Sequence, residues 1–122
     1  MTADDFRELA LGLEGAIESA HMGHPDFRAN GRIFATLQAN MESGCVMLAP
    51  DEQQEFLRTH PKTFTPASGA WGRQGSTMVL LAGSEPAAVR SAILTAWERA
   101  LSLPARKAAA RKPATRKTRS RK

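Results

Sequence analysis

A single cysteine, Cys45, excludes an internal disulfide framework in this chain of 122 residues and suits a reducing compartment. No apolar run approaches the ~18 residues that a membrane span requires. The opening Thr2-Ala3-Asp4-Asp5 is acidic where a secretory signal is basic. No internal repeat is present. No Ser/His/Asp arrangement or paired-carboxylate signature stands out, so catalysis is not expected, nor is any cofactor. These absences point to a soluble, cytoplasmic binding protein.

The last absence is the most informative. The final 18 residues hold no acidic group, while half of them are Lys or Arg: Arg106, Lys107, Arg111, Lys112, Arg116, Lys117, Arg119, Arg121 and Lys122. Of 17 bases, these 9 leave 8 in residues 1–104 against all 12 Asp and Glu, a net charge of 8 − 12 = −4 for the body and +9 for the tail. A like-charge block of this density buries too little apolar surface to offset its ordering entropy. Residues 105–122 are therefore expected to be a disordered tail, and 1–104 a single folded domain. The tail suits a polyanion, nucleic acid first and an anionic membrane surface second.

Within the body, Thr2 followed by Asp5 reads as a capping box opening a helix. Phe6, Leu9, Ala10, Leu13 and Ile17 follow helical spacing, and Gly12 and Gly15 place the helix end near Glu14. A short strand is expected near 20–23. Asn30-Gly31 is the preferred pair of a two-residue type I′ turn, because both central residues need positive φ. Counting outward from it pairs Ala29 with Arg32, Arg28 with Ile33 and Phe27 with Phe34, and sends Arg28 and Arg32 to opposite faces. Cys45 to Leu48 reads as a strand. Pro50-Asp51-Glu52 opens a second helix that turns Phe56 and Leu57 inward and stops at His60-Pro61. The stretch 62–76 reads as a long loop, and Thr77 to Leu81 as a strand. Ser84 is expected to cap a last helix whose inner face is Val89, Ile93, Ala96, Trp97, Ala100 and Leu101, ending at Pro104. The order α-β-β-β-α-β-α predicts an α+β domain, an antiparallel sheet with covering helices.

Two stretches resemble the MmcQ/YjbR-like family. One is His21-Met22-Gly23-His24-Pro25-Asp26-Phe27-Arg28 continued by Gly31-Arg32-Ile33-Phe34-Ala35-Thr36-Leu37. The other is Gly69-Ala70-Trp71-Gly72-Arg73 with Thr77 and an apolar strand behind it. The acidic start Pro50-Asp51-Glu52-Gln53 also fits, and Glu14-Gly15 departs from a frequent Pro-Gly. The resemblance spans residues 4–101 and excludes the tail. It implies a small α+β domain similar to secretion chaperones, and a DNA-binding "double wing".

Several groups have both a functional and a structural reading. Arg28 and Arg32 at the hairpin tip would lay guanidinium groups on phosphates, or pair with a nearby carboxylate such as Asp26. Gly72-Arg73-Gln74-Gly75 matches the nucleic-acid-clamping GxxG of KH domains, but that loop joins two helices and this one precedes a strand. The glycines are better read as supplying unusual backbone angles that let Trp71 pack over the sheet, with Arg73 as an anion contact. His21 and His24, three apart on one strand, would point to opposite faces and hold no metal. Cys45 has no local base to activate it and reads as a small buried hydrophobe.

The combined reading is a DNA-binding protein of little sequence specificity, DNA before RNA. The tail neutralises phosphates, the body orients, and Arg28, Arg32 and Arg73 are the body's own contacts. Nucleoid association follows if it coats bacterial DNA. The alternative is a protein- or small-ligand-binding module that the tail merely localises.

Overall fold

A computed structural model of the chain describes residues 1–21 and 23–104. Ten elements run in the order α1 (Ala3–Leu11), β1 (Ile17–His21), β2 (His24–Ala29), β3 (Arg32–Leu37), β4 (Ser43–Met47), α2 (Pro50–Thr59), β5 (Phe64–Pro66), α3 (Gly69–Arg73), β6 (Ser76–Leu80) and α4 (Pro86–Ser102). The strands form one antiparallel sheet of six, ordered β1-β2-β3-β4-β6-β5. The α+β class holds, and the sheet is richer than expected by β5 and by a full-length β1. The basic segment 105–122, with its expected disorder, lies outside the described residues.

α1 begins as its sequence requires. The Thr2 hydroxyl accepts from the Asp5 amide at 3.1 Å while the Asp5 carboxylate accepts from the Thr2 amide at 2.9 Å. These bonds to Thr2 hold the Asp5 pKa below its ordinary value. The helix stops earlier than its apolar spacing suggests, because the Gly12 amide closes it on Glu8 and Ala10 carbonyls. Gly15, at φ +77°, then turns the chain into β1. Ile17 consequently leaves the helical stripe for an edge strand and stands 61 % exposed.

Phe6 crosses onto the sheet beside Phe27, ring centroids 6.2 Å apart. Phe27, Ala35, Val46 and Thr77 are successive cross-strand partners, all without exposed surface, so they line the face that α1 covers. α4 lies over β3 and adds Val89, Ile93, Ala96 and Ala100, with Ala88 and Ala92 beside them. Two members of the expected inner face differ: Trp97 is only partly buried, its Nε1 donating to the Glu14 carbonyl at 2.9 Å, and Leu101 is exposed although Ala100 beside it is buried. Burial of Phe6, Phe27, Phe34 and Phe64 contributes roughly 1.5–3 kcal/mol each.

Three further expectations are corrected. A register shift between Phe27 and Arg28 places Phe27 opposite Ala35, not Phe34, since a bulge adds one unpaired residue. The supposed loop 62–76 contains β5, which pairs with β6, and the short helix α3. Ser84 does not cap α4: its hydroxyl donates back to the Leu81 carbonyl at 2.8 Å, and Glu85 takes the cap position before Pro86.

Candidate nucleic-acid interface

The β2–β3 hairpin turns where Asn30-Gly31 predicts, with φ of +57° and +72°. Asn30 has a second task that its turn role conceals. Its Nδ2 donates to the carbonyls of Ala100 and Leu103, each at 2.9 Å, satisfying acceptors that the end of α4 leaves unpaired. Arg32 adds Nε and Nη2 contacts of 3.3 and 3.1 Å to the Pro104 carbonyl. The hairpin tip therefore holds the chain at the residue from which the basic segment departs.

Arg28 is committed elsewhere. Its Nε and Nη2 meet the two carboxylate oxygens of Asp26 at 2.8 and 3.1 Å, and Asp26 is fully buried. The bond from Asp26 raises the Arg28 pKa, so its charge is fixed and locally neutralised. Of the two hairpin arginines, both are engaged within the fold, and the structural reading of Arg28 is the one the geometry favours.

The second motif is built around a buried glutamine. Gln53 shares a helical face with Phe56 and Leu57, and its Nε2 donates to the carbonyls of Gly72 and Ser76, each at 3.0 Å. A Cβ at Gly72 would overlap the Ala67 carbonyl, and one at Gly75, already at φ +114°, would overlap the Leu48 carbonyl. α3 is thus fixed against the backbone from three sides. The residue it presents is Trp71, which is 70 % exposed rather than packed over the sheet, and Arg73 is also exposed.

These pieces meet at one end of the sheet. Arg32 at the start of β3 lies toward the same end as Met47, which closes β4, and Ser76, which opens β6 opposite Met47. Pro66, paired with Thr77, finishes β5 there, and α3 follows. β3 and β6 are two strands apart, about 10 Å at the usual strand spacing. The root of the basic segment, Arg32, Arg73 and Trp71 therefore share one edge of the fold. Asp51, exposed at the start of α2, stands at the same end, so this edge is not uniformly basic.

His21 closes β1 and His24 opens β2 as its cross-strand partner, so the two do not lie along one strand as the spacing suggested. Cys45 is buried in β4, and desolvation pushes its thiol up to about 11, far from a reactive thiolate. Among the described residues, no helix is long and apolar enough to cross a membrane.

The sequence reasoning missed Asn30 as a helix-end partner and Gln53 as a bracket. Gln53 had a signal: it lies three and four positions before Phe56 and Leu57, on the face already assigned to the core. Asn30 had none, since its partners are 70 and 73 residues away.

Residues 11–99 match the family model described as YjbR. No curated protein matches the chain. Among solved structures, the crystal structure of a Deinococcus radiodurans protein with a DUF419 domain is similar, with a TM-score of 0.71 over 83 % of this chain and 79 % of that one. The two are 15 % identical, so the likeness is one of fold.

Proposed function

The chain belongs to the YjbR family, and from that premise we propose that it binds nucleic acid, duplex DNA first, with little sequence specificity. The basic segment supplies the affinity and the folded domain sets its origin and direction. The observation that carries this reading is the clamp on Pro104 by the hairpin tip, which fixes the residue before the nine-base segment at the same end of the sheet as Arg73, on a body of opposite charge. A net charge of −4 repels phosphate, so the body alone has little attraction for a polyanion. Arg28 is neutralised by Asp26, whereas Arg32 donates to an uncharged carbonyl and keeps its positive charge, which leaves Arg32 and Arg73 as the body's contacts. A binding role without catalysis, in the cytoplasm, follows from the same reading.

Deleting everything after Pro104 tests it. Log K for duplex DNA falls with log salt at about −0.9 per phosphate neutralised. With half to all of the tail charges engaged, the full chain should show a slope of roughly −4 to −8, and the truncated body a slope between zero and about −2. An unchanged slope after deletion would move the site onto the folded body. No binding by the full chain at low salt would sink the reading in favour of a protein partner.

A further inference from the structure

Trp71 invites a question that phosphate binding by arginine and lysine does not answer. It is the most exposed large apolar side chain among the described residues, at 70 %, yet the backbone that follows it is closely held. Gln53, itself 3 % exposed, uses both hydrogens of its amide to hold the carbonyls on either side of Arg73-Gln74-Gly75. Gly72 and Gly75 allow contacts that no other residue permits. An indole needed for the core would be turned inward; this one is held outward on a braced turn.

We infer that Trp71 is a stacking platform for an unpaired nucleobase, an added contact that single-stranded or locally opened nucleic acid makes at this edge and intact duplex does not. The inference rests on the nucleic-acid reading above and adds the part of the ligand that the tail cannot recognise. Lysine and arginine on an extended segment attract phosphates of any strand. A flat, exposed aromatic ring offers a π-face that paired, stacked bases inside a duplex cannot reach, whereas an unpaired base can. Position supports the same occupant. Trp71 lies on the connection between β5 and β6, at the sheet end where Arg32 holds Pro104, so a strand drawn to the basic segment that follows Pro104 finds an aromatic face at the same end of the fold. The net −4 of the body disfavours a strand laid along any wider area, which confines the contact to this edge.

The test uses the full-length chain, single-stranded oligonucleotides of dT and dA, and a duplex of the same length, each titrated at several salt concentrations. Trp71→Ala should weaken single-strand binding by about 5- to 150-fold, the equivalent of one lost stacked base. Duplex affinity should change by less than about twofold, and the salt slope should be the same as in the parent, since no phosphate contact is removed. Trp71→Phe should restore most of the loss because a ring face is retained. The melting temperature of both variants should equal that of the parent, because the side chain is exposed. Unchanged single-strand affinity in Trp71→Ala, or an equal loss for single strand and duplex, overturns the stacking site and leaves nucleic-acid binding standing. Failure of the parent chain to bind either form overturns both. A defined protein partner lost only in Trp71→Ala, with single-strand binding intact, would assign the ring to that partner instead.

Discussion

Arg28 grips the carboxylate of Asp26, two positions earlier on the same strand, through two hydrogen bonds of 2.8 and 3.1 Å. The acid has no exposed surface, while 36 % of the arginine side chain reaches solvent. This pair turns a candidate phosphate contact into a structural one, because an arginine that leaves it abandons a buried charge. In sequence, Arg28 looks like an exposed wing residue whose loss would shift stability by about 0.5 kcal/mol or less. Removing one partner of a buried pair instead costs about 3–5 kcal/mol, discounted here to about 2–3 because the guanidinium is partly screened by water. Arg28→Ala should lower the urea midpoint accordingly, and Arg28→Lys should recover only part of it, since an ammonium cannot make the bidentate contact. A variant that melts like the parent and loses only DNA affinity would return Arg28 to the binding surface.

The bracket beneath Trp71 gives a graded pair of stability effects. Gln53→Ala leaves the Gly72 and Ser76 carbonyls short of a donor and should cost roughly 1–3 kcal/mol. Gly72→Ala forces a methyl group into the Ala67 backbone and should cost more, on the order of 4 kcal/mol. Equilibrium unfolding of the two variants checks the ranking. If Gly72→Ala proves the milder change, α3 is not held as described.

Cys45 makes stability depend on alkaline pH. Burial raises the folded thiol from 9.0 to about 11, so between those values the unfolded chain ionises while the folded one retains its proton. The folded state binds more protons there, and stability must fall as pH rises. The contribution is fully present below pH 9 and is lost progressively toward pH 11, by roughly 2–3 kcal/mol in all. Cys45→Ala should flatten that part of the stability curve. A thiol reagent should label the folded protein slowly at pH 8 and rapidly in urea; fast labelling without denaturant would show the side chain to be accessible.

Local chemistry made the sharpest features readable. The Thr2–Asp5 capping box, the Asn30-Gly31 turn, the start of α2 at Pro50 and its end before His60 each depend on residues within a few positions of one another. The apolar stretches of β3, β4 and β6, and the Val89, Ile93, Ala96 and Ala100 face of α4, were legible for a similar reason, since local pattern reports which residues are buried. Errors arose where a second, distant segment chose between two acceptable local states. Ile17 continues the spacing of α1, but pairing with Arg28 takes it into β1. Thr65 and Pro66 look like loop residues until β6 supplies a hydrogen-bonding edge. Trp71 reads as packed over the sheet, yet it stands exposed on α3, whose next residue, Gly72, is bonded by the distant Gln53.

The division at the candidate interface has the same physical basis. The amino-acid sequence by itself determined the charge separation, −4 in residues 1–104 and +9 beyond them, because net charge is a sum that folding does not change. It also determined the α+β class and the position of the hairpin, through pattern and turn chemistry. Only the tertiary structure decided which arginines are already spent, where the basic segment is rooted and which way Trp71 points. Those outcomes depend on contacts such as Asn30 to Leu103 and Arg32 to Pro104, spanning more than 70 residues. No local propensity encodes such pairs: they form because packing α4 on the sheet brings unsatisfied carbonyls to a tip that has donors to offer.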